Sequence, residues 1–243
     1  MLDVCTFVGP WPFAPLRYER VDDLLRLMDR AGIARALVSP LQGAFYPDPG
    51  PANDVLASEV AAHPDRLFLA AAANPLWPGW EESLRQAREQ WGARAVRLFP
   101  NYHGYEPAVA GDLAEVAATL GLPVLVTVRL QDERHHPPAF LTPAVSWEAV
   151  AALAAAHPAA KVVMSMGRFA EVLEALKRVG GLWADLAGVQ GPQGCVDRLA
   201  GEAGGRLLFG SEMLLQYPEP AMMKVAASGQ EKALVEAGRL LLE

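Results

Sequence analysis

Eight short apolar runs recur along this chain, about 30 residues apart, with helical patterns between them; that spacing is the size of a strand–helix repeat. The runs are Leu2–Val4, Ala36–Val38, Leu67–Ala71, Ala95–Phe99, Pro123–Val128, Lys161–Met164, Leu182–Leu186 and Arg206–Phe209. Each has the length of a strand, and several are rich in valine and leucine. Between them, Val21, Leu24, Leu25 and Met28 fall at i, i+3, i+4 and i+7, and Leu113, Val116, Ala117 and Leu120 repeat that spacing. Leu84, Ala87 and Trp91 follow it more loosely, as do Val172, Leu173, Leu176 and Val179. Near-continuous apolar strands suit a parallel sheet buried on both faces. The pattern therefore predicts an α/β fold, a (β/α)8 TIM barrel, with an open doubly wound sheet as the second reading. No Gly-x-Gly-x-x-Gly follows the first strand, which weakens a dinucleotide-binding version of the second reading.

The length, 243 residues, fits one barrel, and no composition shift marks a boundary, so residues 1–243 read as a single domain. About half the residues are apolar, enough for a full core. A net charge of −7 with interspersed signs and no basic run argues against a nucleic-acid partner. Two cysteines, Cys5 and Cys195, form no disulfide framework, and the N-terminus lacks a basic segment followed by an apolar one. A cytoplasmic location is the expectation. No run of ~18 apolar residues is present, so no membrane span is expected.

In a barrel the chemistry sits on the loops that follow the strands. The loop after the fourth run carries Asn101, His103 and Tyr105, preceded by Arg97. The loop after the fifth carries Arg129, Asp132, Arg134, His135 and His136, and Glu212 follows the eighth. An arginine fork matches a carboxylate or phosphate, and an aspartate between arginines stays ionised and can serve as a base. The plain alternative is a solvated loop with internal ion pairs of little energetic worth. Both readings of this cluster stay open. Phe7–Phe13 is expected to fold over the mouth as a lid or to support a homodimer contact.

The chain resembles the amidohydrolase-2 branch of the metal-dependent TIM-barrel hydrolases, which includes amide hydrolases and decarboxylases. The resemblance rests on Leu2-Asp3-Val4-Cys5-Thr6-Phe7, on Gly92 to Leu98, on Gly121-Leu122-Pro123-Val124, on Lys161 to Met164 and on Arg206 to Glu212. It covers nearly the whole chain. That family's first strand ends His-x-His and binds a divalent metal; here the positions read Cys5-x-Phe7. The ligand expected after strand five falls near Thr127, the one after strand six near Met166, and the aspartate after strand eight is Glu212. Phenylalanine cannot ligate, and threonine and methionine suit a hard, water-activating ion poorly. The expectation is no metal and no cofactor, with a rebuilt site from Cys5, His103, Asp132, His135, His136 and Glu212 rated below none.

The resemblance implies a hydrolase or lyase acting on a small anionic molecule, with the usual metal site degenerate. Asp132, His103, His135, His136 and Glu212 are the catalytic candidates. Arg97, Asn101, Tyr105, Arg129 and Arg134 are the substrate-binding ones. Losing the metal removes Lewis-acid polarisation and a lowered water pKa, which favours a less demanding reaction such as lactone opening or decarboxylation. The alternative is a catalytically inactive relative that binds a small anion or a protein partner at the same rim.

Overall fold

In the computed structural model the eight apolar runs become eight parallel strands in the order β1 to β8. The structure describes residues 1–132, 136–137, 140 and 142–243. The strands are β1 (Leu2–Val8), β2 (Arg35–Pro40), β3 (Leu67–Ala73), β4 (Ala95–Leu98), β5 (Val124–Thr127), β6 (Val162–Ser165), β7 (Trp183–Asp185) and β8 (Leu207–Leu208). Closure runs through the main chain past β8. Val4 N–H donates to Phe209 (2.9 Å), Glu212 N–H to Cys5 (2.9 Å) and Phe7 N–H to Met213 (2.6 Å). The result is a nearly closed (β/α)8 TIM barrel.

The helices are α1 (Val21–Ala31), α2 (Gly50–Val60), α3 (Trp80–Glu89), α4 (Pro100–His103), α5 (Gly111–Thr119), α6 (Trp147–Ala156), α7 (Phe169–Arg178), α8 (Cys195–Ala203), α9 (Glu219–Ser228) and α10 (Glu231–Leu242). The four helical patterns read from the sequence fall on α1, α3, α5 and α7. None of the helices is long and apolar enough, among the described residues, to cross a membrane.

Alternation along each strand divides the core. Outward residues such as Val96, Val124, Val126 and Val162 pack against the helices through Leu24, Leu84, Leu113 and Leu153. Inward residues form layers, as expected for a barrel whose interior is filled. The lowest layer is apolar: Val4, Leu37, Ala95, Leu125, Val163, Trp183 and Leu208, closed from below by Ala237 and Leu241 of α10. Two residues further along the strands the layer turns polar, with Ser39, Arg97, Thr127, Ser165 and Asp185 all fully buried. Above it Phe7, Leu41, Phe99, Met166 and Ala187 restore apolar packing.

Strand one runs farther than expected. Cys5 and Phe7, beyond the run Leu2–Val4, lie inside β1, and Ser165 and Asp185 end β6 and β7. A polar residue at a strand end looks like a loop in sequence, whereas here it points into the barrel.

Candidate functional site

The centre of the barrel mouth is filled. Trp11, Phe13, Phe45, Tyr102, His136 and Phe140 meet edge-on or tilted over the upper layer, with ring centroids such as Trp11–Phe13 5.3 Å and Phe13–His136 5.2 Å apart. Tyr102 Oη and His136 Nε2 share a hydrogen bond of 2.8 Å. Trp11 and Phe13 of the segment Phe7–Phe13 thus pack over the upper layer, while Phe7 lies inside β1.

A cavity of about 440 Å³ lies where the segments after β5, β6, β7 and β8 meet. Its walls include Arg129, Asp132, Met166, Arg168, Gly188 and Glu212, with the amides of Gln131, Gln190 and Gln216 around them. Glu212 projects from the segment that closes the barrel against β1. Its backbone is left-handed (φ 63°), as is that of Met166 (φ 63°), and no other non-glycine residue among those described has a positive φ. Such backbone is costly for residues with a Cβ and tends to persist where a side chain must be aimed. Both strained residues line this one cavity.

The electrostatics of Glu212 follow from where it sits. Burial raises its pKa to about 7, and the neighbouring Asp185 carboxylate pushes the same way. Lys224 of α9, a Gly188 backbone hydrogen bond and Arg129 pull weakly downward. Lys224 is itself held by Val189 O at 2.5 Å. The close approach of Gly188 matters, since a Cβ there would stand 3.2 Å from Glu212 Oε1, on a residue whose own φ is +71°.

The two cavity arginines already have partners. Arg129 forms a forked pair with Glu171 (2.7 and 2.8 Å) and donates to Met166 O at 3.2 Å. Arg168 stands 3.8 Å from Asp132, a looser pairing. Glu171, held by Arg129, has its pKa lowered despite partial burial.

The other predicted residues fall elsewhere. Arg97 is fully buried beneath Phe7, its guanidinium 5.0 Å from that ring, and does not line the cavity. Asn101 and Tyr105 line a separate recess of about 540 Å³ between the segment after β4 and the entry to α6. His103 turns to Gly43 O at 3.0 Å, and burial lowers its pKa. His136 belongs to the aromatic cover and does not line the cavity. Arg134 and His135 lie outside the described residues. Of the predicted residues, the structure brings together Arg129, Asp132 and Glu212.

Reading the sequence alone missed Arg168, Glu171 and Asp185. Arg168 and Glu171 open α7, where they look like ordinary first-turn charges. Asp185 gave a usable signal: it is a carboxylate in an otherwise apolar run, and such a group needs a buried partner.

Few side chains at the inherited metal position carry a donor atom suited to a divalent ion. Cys5 is fully buried, and burial pushes its thiol up. Phe7 offers no donor atom, Thr127 Oγ1 accepts from Arg97 at 3.3 Å, and Met166 packs in the upper apolar layer. No cluster of three or more His, Cys, Asp or Glu side chains suited to a metal occurs among the described residues.

Comparison with known proteins gives the family. The amidohydrolase family model matches residues 8–222. No curated protein matches the chain. Similar solved structures include 2,6-dihydroxybenzoate decarboxylase from Rhizobium, 18% identical with a TM-score of 0.70, covering 100% of this chain and 99% of that one. Another is 5-carboxyvanillate decarboxylase from Sphingomonas paucimobilis, 14% identical with a TM-score of 0.71, covering 99% and 97%. A third is a dihydroxybenzoic acid decarboxylase from a Polaromonas species with bound manganese and 2-nitroresorcinol, 16% identical with a TM-score of 0.70, covering 99% and 96%.

Proposed function

The chain belongs to the amidohydrolase family, and from that premise we propose that it is a lyase or hydrolase of small carboxylate-bearing molecules that works through Glu212 rather than a divalent ion. One observation carries the proposal. A carboxyl with a pKa near 7 is held on left-handed backbone at the C-terminal end of the barrel and opens into a cavity. Such a group exchanges a proton readily at neutral pH.

Decarboxylation is the reaction that asks least of this site. Several solved structures similar to this chain in architecture are decarboxylases of hydroxylated aromatic acids, which supports the lyase reading. Protonated Glu212 would deliver its proton to the carbon bearing the carboxylate. The carbon–carbon bond then breaks, its electron pair returns to the substrate and carbon dioxide leaves. Solvent reprotonates Glu212. Arg168, only loosely paired, and the cavity glutamines would hold the anionic group. The metal-free reading draws on the thiol of Cys5, the ring of Phe7 and the engaged hydroxyl of Thr127.

The filled centre of the mouth favours a second reading, a relative that binds an anion without turning it over. One experiment separates the two. Purified protein is offered a panel of aromatic and heteroaromatic carboxylates, and carbon dioxide release is measured beside binding. The first reading expects release by the wild type and its loss in Glu212→Gln with binding retained. Binding without release in the wild type would replace it with the second.

A further inference from the structure

We propose that the Arg97 guanidinium is the permanent interior cation of this barrel, balanced by Asp185, and that it has taken over the electrostatic place of the divalent ion the family would hold. The proposal starts from the polar layer halfway up the barrel. Arg97 projects inward from β4 and is fully buried. Nε donates to Ser39 Oγ on β2 at 2.8 Å, Nη1 to Thr127 Oγ1 on β5 at 3.3 Å and to Ser165 Oγ on β6 at 3.1 Å. Nη2 donates to Val4 O on β1 at 2.7 Å. Four of the five N–H groups are thus placed, on four different strands.

The counter-charge comes from β7. Ser165 accepts from Arg97 and donates to Asp185 Oδ2 at 2.6 Å, so one hydroxyl bridges the pair. Asp185 Oδ1 accepts the backbone N–H groups of Met166 (3.2 Å) and Ala187 (3.0 Å). A buried guanidinium or carboxylate is tolerated only when paired and hydrogen-bonded, and here both are. Phe7 lies over the guanidinium with its ring face 5.0 Å away, a cation–π contact that also seals the layer from above.

This arrangement explains the substitutions at the inherited metal positions. A divalent ion placed among Cys5, Phe7, Thr127 and Met166 would sit beside a fixed positive charge. It would find a buried thiol, a ring, an engaged hydroxyl and a thioether around it. Phe7 suits a guanidinium as a neighbour, and Thr127 suits it as a hydrogen-bond acceptor. Two of the four positions, Phe7 and Thr127, thus serve the organic cation.

The test is a double-mutant cycle read by thermal unfolding at neutral pH, using Arg97→Gln, Asp185→Asn and the double variant, with zinc and manganese titrations in parallel. Each single change leaves one buried charge alone. The expected result is a large loss of Tm in each single variant and a double variant well above the additive value. Additive losses would overturn the charge pairing and leave Arg97 as packing only. If the single variants do not fold, a folded double variant supports the pairing and an unfolded one overturns it. The wild type should gain no Tm from zinc or manganese and keep no ion after desalting. One retained ion per chain with a saturable rise in Tm would overturn the proposal outright.

Discussion

At the scale of single residues, three carboxyls in the barrel hold their protons more tightly than water would allow. Burial is the leading cause in each: Asp3 is raised to about 7, Asp185 to about 6 and Glu212 to about 7. Asp3 accepts Cys5 N–H at 3.0 Å and Ser211 N–H at 3.1 Å through Oδ1, while Oδ2 has no partner among the described residues. A native pKa above the unfolded value means that the folded protein binds the extra proton. The stability this contributes is complete below pH about 4 and is lost as pH rises to about 7. Asp3→Asn should therefore flatten the fall of unfolding free energy across that window, by up to about 1.4 kcal/mol per unit of removed shift. Urea denaturation at several pH values checks it; an unchanged slope would mean Asp3 is ionised in the folded protein. For Glu212 the same sign applies to chemistry. If it donates the proton, turnover should be full below pH about 7 and fall tenfold per unit above, a limb that Glu212→Gln removes along with the activity.

Between elements, glycines set how closely the strand ends approach. A Cβ on Gly210 would lie 3.0 Å from both Ala187 Cβ and Cys5 Cβ, where the chain past β8 closes against β7 and β1. Gly210→Ala should cost about 1–3 kcal/mol by overpacking, visible as a lower Tm. Gly188→Ala should lower activity as well as Tm, because alanine is strained at φ +71° and the new methyl group stands 3.1 Å from the Met166 backbone and 3.2 Å from Glu212 Oε1. The aromatic cover makes a third prediction: Trp11→Ala, removing a 4% exposed side chain, should cost about 3–5 kcal/mol. A loss below about 1 kcal/mol in chemical denaturation would show that the cover does not pack as described. These elements were unequally visible in the sequence. Leu125, Val126 and their equivalents announce strands because both faces are buried. Ser165 does not, because a hydroxyl at a strand end resembles a loop residue until the barrel turns it inward.

For the molecule as a whole, the barrel was legible from its eight-fold alternation, and the site was legible only where it depends on position along a strand. Glu212 could be found because it follows the last strand. The cavity around it could not, since Arg129 and Arg168 acquire their roles from Glu171 and Asp132 across loops, and the sequence does not state which loops meet. Nor could the sequence tell that Tyr102 and His136 would close together over the centre, with a cavity on the β5–β8 side. The central claim is that a carboxyl and a fixed arginine, rather than a bound ion, organise this member of the family. The most direct measurement is turnover of a carboxylate substrate by protein exhaustively treated with chelator, before and after manganese or zinc is restored. The account predicts full activity throughout, with Glu212→Gln inactive in every condition. Activity lost on chelation and recovered with the metal would contradict it.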